Sequence, residues 1–135
     1  MKLDLMAGVV SKYGVDWIAY DSQAQIGIKD DVTSIKKYFL PNSVKEIVVD
    51  NPQAEFIELL KDLLIVKGEV TIRGHFSNPF FKMIYRHFTS SLSGFGLTLV
   101  EILEMPDPIV HDHVYHRTDG SELDKRVLKV IYLRK

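Results

Sequence analysis

Glu46-Ile47-Val48-Val49-Asp50, then Phe56 to Leu64, then Val70-Thr71-Ile72-Arg73 is the stretch that decides the fold. Its outer pieces are apolar at successive positions. A strand covered on both faces reads that way, and such runs mark a parallel sheet clothed in helices. The middle piece places Phe56, Leu59, Leu60, Leu63 and Leu64 at i, i+3, i+4, i+7 and i+8, one apolar stripe of a helix, with Glu55, Glu58, Lys61 and Asp62 on the other side. Pro52 suits the start of that helix, and Lys67-Gly68 opens the second strand. Strand, helix, strand in this order predicts a right-handed parallel crossover.

The pattern extends in both directions. Upstream, Leu3 to Met6 is a short apolar run ending at Ala7-Gly8, and Asp16 to Tyr20 is another, stopping at Asp21. Ile26 to Val32 is a weaker strand candidate, broken by Lys29, Asp30 and Asp31. Downstream, Asn78-Pro79 is a cap followed by proline at the first helical position. Phe80, Phe81, Ile84, Tyr85, Phe88 and Leu92 make a second stripe that ends near Gly94. Leu97 to Leu103 and Val127 to Leu133 are strand-like with no helix between them, which predicts an antiparallel pair. No repeat or linker interrupts the chain. The expected architecture is α/β, a Rossmann-like three-layer sandwich with a mostly parallel sheet and an antiparallel C-terminal strand pair, as a single domain over 1–135.

Charge and composition narrow the function classes. Seventeen Lys and Arg stand against 18 Asp and Glu, net −1, so the whole molecule carries no field that draws it to nucleic acid or an anionic membrane. The absence of cysteine excludes a disulfide scaffold, a thiolate zinc site and a cysteine nucleophile. No run approaches the roughly 18 apolar residues of a membrane span. Met1-Lys2-Leu3-Asp4 reads as neither a signal region nor a transit peptide, so a cytoplasmic, soluble domain is expected.

In an open parallel sheet, ligands bind beyond the carboxyl ends of the strands where the strand order reverses. The residues at those ends are Met6-Ala7-Gly8, Asp21-Ser22, Asp31-Val32, Asp50-Asn51-Pro52 and Arg73-Gly74-His75. Asp21 follows Asp4 by 17 residues, in the range of a carboxylate that accepts from both hydroxyls of a ribose. Acids also end strands simply because they suit turns, and that reading stands beside the first. Asp50 reads equally as an acid at a helix start, and His75 as an exposed loop residue. His111, Asp112, His113 and His116 can be grouped as metal ligands, but a solvated polar loop accounts for them better and no metal is expected. Arg73, His75, Lys82, Arg86, His87 and Arg117 form a possible basic patch, yet the aromatics beside them are more simply core, and a nucleic-acid partner is not expected.

Lys2-Leu3-Asp4-Leu5-Met6-Ala7-Gly8 followed by Asp16-Trp17-Ile18-Ala19-Tyr20-Asp21 resembles the opening of class I S-adenosylmethionine-dependent methyltransferases, in a compact form whose first helix is short and whose second is nearly absent. Asp30-Asp31-Val32 and the segment Phe39 to Ile47 are similar to that family's stretch between its third and fourth strands. Lys61 to Leu64 and Lys67 to Ile72 resemble the segment leading into its fifth strand. The resemblance covers nearly the whole chain and lies mainly in the order of the motifs.

It implies S-adenosylmethionine as cofactor. Ala7 and Gly8 would face its methionine part, Asp21 would hold the ribose hydroxyls, and Asp31 with the Val32 backbone would meet the adenine. Asp50, Asn51 and Pro52 would line the transfer site, and the strand-end argument adds His75 to Asp50 and Asn51 as catalytic candidates. The chain departs from the family at Met6 and Val10, where glycine is usual because the backbone turns sharply beside the ligand. As given, it also begins at the first strand, without the N-terminal helices that many members close over substrate. Two functional expectations follow. One is methyl transfer to an acceptor that the sequence does not specify. The other is an inactive module of the same fold that binds a protein partner, for example in a bacterial toxin or immunity system, to which the Thr118-Asp119-Gly120-Ser121 ending is similar.

Overall fold

The computed structural model describes residues 1–8, 13, 16–103, 115–116, 120–123 and 129–135. Within them the strands are β1 (Lys2–Leu5), β2 (Trp17–Asp21), β3 (Ile28–Lys29), β4 (Val44–Asp50), β5 (Leu64–Gly74), β6 (Ser93–Gly94), β7 (Leu97–Leu103), β8 (Tyr115–His116), β9 (Glu122–Leu123) and β10 (Lys129–Arg134). The helical pieces are a 3-10 turn over Val32–Lys37, α1 (Ile57–Leu63) and α2 (Pro79–Ser90). Eight strands form one sheet in the order β3-β2-β1-β4-β5-β10-β7-β6, and β8 and β9 make a separate hairpin pair. Strands β1 to β5 are mutually parallel, while β10 runs antiparallel to both of its neighbours, β5 and β7. The expected Rossmann-like α/β sheet with an antiparallel C-terminal pair is therefore what the chain builds. The order runs outward from β1 to β3, then resumes on the other side of β1 with β4, so the reversal falls between β1 and β4.

Register explains the core. Leu3 and Leu5 lie opposite Ile47 and Val49. Ile47 and Val49 lie opposite Val70 and Ile72, which face Leu133 and Ile131 in turn. This row of β-branched and leucine side chains occupies one face of the sheet. It forms a single cluster with Val32 and Ile35 of the 3-10 turn, Ile57, Leu60 and Leu63 of α1, and Phe81, Ile84 and Phe88 of α2. All three described helical pieces thus cover the same face. Burying each large apolar side chain there stabilises by roughly 1.5–3 kcal/mol. The alternate positions, Val48, Asp50, Thr71, Arg73 and Tyr132, point to the second face, where Val48, Thr71, Arg73 and Tyr132 line a cavity of about 470 Å³ together with Tyr13 and Trp17.

Three local expectations change. The first helix begins at Ile57 and not near Pro52, and it ends at Leu63 because Leu64 is already extended (φ −74°, ψ 142°) and pairs with Val44. The strand after it is therefore 11 residues long and starts before Lys67-Gly68. Leu64 is apolar to suit the sheet, and its helical spacing is coincidental. Helix α2 stops at Ser90, leaving Leu92 71% exposed and off the apolar stripe. Ile26 to Val32 reduces to the two-residue β3, since the Asp31 side chain accepts from Thr33 N–H and caps the 3-10 turn instead of extending a strand.

Candidate functional site

The carboxyl ends of β1, β2 and β3 bring Gly8, Asp21 and Asp31 onto one edge of the sheet. β1 turns at Met6, whose amide donates to Tyr20 O at 2.7 Å. Met6 takes φ +58° and Gly8 φ +81°, so the chain leaves the strand through two left-handed residues. Gly8 pays no steric penalty for this, whereas Met6 does. The Gly8 amide then donates to Asp21 Oδ2 at 3.0 Å, and Gln23 N–H donates to Asp21 Oδ1 at 2.7 Å. An ionised carboxylate offers about four acceptor sites, so Asp21, half-buried at the rim, retains capacity for further donors. Ala7 is likewise half-buried beside it.

Asp31 is exposed. Thr33 N–H and Thr33 Oγ1 both donate to its Oδ1 at 2.8 Å, and these bonds, the backbone one foremost, hold its carboxyl below the usual carboxylate range. Its neighbour Asp30 is lowered too, chiefly by the Tyr38 hydroxyl and then by the Asp31 amide. Tyr20 supports this corner from beneath, donating its hydroxyl to Asp31 O at 2.7 Å. Burial, reinforced by Asp30, pushes the Tyr20 hydroxyl up to about 12, so it keeps its proton. Val32 is buried under the turn.

The ends of β4 and β5 are built differently. Asp50 and Arg73 sit side by side in parallel register, and their side chains, each 3% exposed, form an ion pair with Arg73 Nη1 3.1 Å from Asp50 Oδ1. The Tyr13 hydroxyl donates to Asp50 Oδ2 and accepts from Arg73 Nη1 at 2.8 Å. Tyr13 also packs against Trp17, with ring centroids 5.1 Å apart and planes tilted by 40°. Asp50 is thus enclosed by protein donors, and Arg73 is buried, which removes it from the possible basic patch weighed in the sequence. Asn51 adopts φ +52° and donates its amide to Arg73 O at 2.9 Å. Buried Asn78 locks this turn: its Nδ2 donates to Asn51 Oδ1 at 2.9 Å and to Pro52 O at 2.6 Å, while its Oδ1 caps α2 by accepting from Phe80 and Phe81 N–H. His75 is half-buried just beyond β5, where Nδ1 accepts from Ser77 N–H at 3.1 Å.

Sequence reading singled out Asp50, Asn51 and His75, and it took Asn78 as a cap, but it missed the Tyr13–Asp50–Arg73 network and the clamp by Asn78. Opposite charges ending two neighbouring apolar runs were a usable signal for Asp50 and Arg73. Nothing in the sequence marked Tyr13. Val10, His111, Asp112, His113, Arg117 and the Thr118-Asp119 part of the turn lie outside the described residues, as does the side chain of His116. Among the described residues no cluster of acids and histidines suits a metal ion, and no helix is long and apolar enough to cross a membrane.

No family model matches the chain, and no curated protein does. Solved structures do resemble it. A SAM-dependent methyltransferase from Archaeoglobus fulgidus superposes with a TM-score of 0.62 at 12% identity, covering 99% of this chain and 85% of that one. The 16S rRNA (adenine(1408)-N(1))-methyltransferase of Catenulisporales acidiphilia, solved with its cosubstrate SAM, gives 0.61 at 10% identity, covering 98% and 83%. A Streptococcus mutans protein in complex with SAH gives 0.59 at 14% identity, covering 99% and 87%. With its sheet order, its reversal between β1 and β4 and its antiparallel last strand, this chain has the fold of the S-adenosylmethionine-dependent methyltransferases.

Proposed function

We propose that the chain is a methyltransferase-like domain that binds the adenosyl group of S-adenosylmethionine at the edge formed by β1, β2 and β3. The observation that carries this reading is the Gly8 N–H to Asp21 bond at the rim beside the strand reversal. It fixes a carboxylate where an open α/β sheet receives its ligand. Asp21 would accept from the two ribose hydroxyls, Asp31 and the Val32 backbone would border the adenine, and Ala7-Gly8 would pass beneath the 5′ end. These residues suit the adenosyl half. Nothing described lies within 4 Å of where a Cβ on Gly8 would stand, so the backbone is open to close approach there.

The cofactor supplies a methyl group already activated on a sulfonium, so the chain's own task is positioning. Asn51 and His75 border the approach an acceptor would take at the ends of β4 and β5. Asp50 acts there by holding Tyr13 and Arg73. Calorimetry tests the reading. S-adenosylhomocysteine or adenosine should give saturable heat, and Asp21→Asn should weaken it by about 1–3 kcal/mol, roughly five- to 150-fold. Absence of heat with both ligands at millimolar concentration would refute it.

A second reading, an inactive module of this fold that binds a protein partner, draws on two observations. The Asp50 carboxylate is enclosed by Arg73 and Tyr13, and Met6 stands where the turn suits glycine. Under that reading Asp21→Asn leaves partner affinity unchanged, which a pull-down of a stoichiometric partner would measure.

A further inference from the structure

Met6 reaches from the end of β1 to the loop after β4. Its Sδ accepts the Gln53 N–H at 3.2 Å, so the thioether spans the place where the strand order reverses. Both ends of this bridge are held. Gln53 Nε2 donates to Asn51 O at 2.9 Å, and Asn51 is in turn bonded by Asn78. At the other end Met6 N–H is bonded to Tyr20 O, which fixes the turn at φ +58°.

The stereochemistry of a nucleoside makes this contact selective. The base leaves the ribose from C1′ and the 5′ carbon leaves from C4′, on opposite sides of the two hydroxyls. With the hydroxyls on Asp21 at the end of β2 and the base toward Asp31 beyond β3, the 5′ substituent points toward β1 and β4. That is where the Met6 side chain lies. An amino-acid tail brings an ammonium and a carboxylate, which need polar partners once out of water. The thioether offers almost none, and the Gln53 amide, a donor suited to a carboxylate, is spent on sulfur.

We infer that Met6 is the specificity-determining residue of this crevice: it selects adenosyl ligands with a short, uncharged 5′ group, such as adenosine or 5′-methylthioadenosine, over those carrying the amino-acid tail. The inference rests on the adenosyl-binding reading above and narrows it.

Calorimetry with adenosine, 5′-methylthioadenosine and S-adenosylhomocysteine, on the full chain and on Met6→Gly, separates the two. Glycine tolerates the positive φ, so the variant should fold, which circular dichroism checks. The natural chain should bind the two short ligands at least tenfold more tightly than S-adenosylhomocysteine. Met6→Gly should gain at least tenfold for S-adenosylhomocysteine and shift adenosine by less than threefold. Tighter binding of S-adenosylhomocysteine by the natural chain, or no gain in the variant, overturns the role of Met6 and leaves the adenosyl site standing. No binding of any of the three by either folded protein overturns both.

Discussion

Over β1 to β3 the carboxyl edge of the sheet is made of backbone amides and accessible acids, whereas over β4 and β5 it is made of buried side chains bonded to one another. Asp21 accepts from the Gly8 amide after β1 and the Gln23 amide of its own loop, and Asp31 accepts from Thr33, yet both still face solvent. Asp50, Arg73 and Asn78 are all nearly sealed, with exposures of 6%, 2% and 3%. The first edge keeps hydrogen-bonding capacity in reserve, which is what a ligand site requires. The second has committed its capacity to fixing the loop beside the proposed site. One edge should therefore matter to binding and the other to stability.

The sharpest break of this contrast is Arg73→Met. It leaves the Asp50 carboxylate buried without its guanidinium, a change that typically costs about 3–5 kcal/mol. Denaturant unfolding should show a loss of this size, and a loss under 1 kcal/mol would mean that the pair is open to water. Replacing both partners with apolar residues of similar volume should recover much of it, because the desolvation of two charges disappears with them. Next in size is Asn78→Ala. It removes the cap of α2, worth about 1 kcal/mol and at most about 2, together with the bonds to Asn51 and Pro52. Thermal melting should fall accordingly, whereas Asn78→Asp, which keeps the cap but loses the Nδ2 donor, should retain part of the stability.

Asp21→Asn should reverse the pattern. One carboxylate oxygen becomes an amide, so one of the two loop bonds persists and stability should drop by no more than about 1 kcal/mol. The adenosyl affinity, by contrast, should fall by the larger amount given above. If Asp21→Asn destabilises as much as Arg73→Met, the division of labour between the two edges is wrong.

Strands β1, β2, β4 and β5 were legible because each carries a largely apolar run, whereas the broken run around β3 was not, and the residues at their carboxyl ends supplied the site candidates. Gly8, Asp21 and Asp31 share an edge for that reason alone. The helix boundaries were less legible, since Leu64 satisfies both a helical stripe and a strand, and only its pairing with Val44 decides between them. Side-chain networks were the least legible. Tyr13 meets Asp50 and Arg73 across separations of 37 and 60 residues, and no local pattern encodes a contact that the sheet order creates. The same holds for Met6: the sequence shows a bulky residue where a turn suits glycine, but the position of Gln53 is what turns that bulk into a bridge.

The smallest effect concerns the proposed adenine corner at Asp31, where the contrast is read through pH. Asp31 titrates below the usual range because Thr33 donates to it from backbone and hydroxyl. A carboxylate lowered in the folded state favours folding above its unfolded value, near 3.9, and that contribution is lost as pH falls through the lower folded value. Thr33→Ala removes the hydroxyl and keeps the amide, so the carboxyl carbon of Asp31, followed by NMR, should titrate at a higher pH than in the natural chain while remaining below an unperturbed aspartate. The cap geometry survives, so the 3-10 turn should persist and the adenosyl ligands should bind within about threefold of their original strength. An unmoved titration would show that the backbone amide alone holds Asp31 ionised, and the rim over β3 would then depend on backbone donors as fully as Gly8 and Gln23 make it over β2.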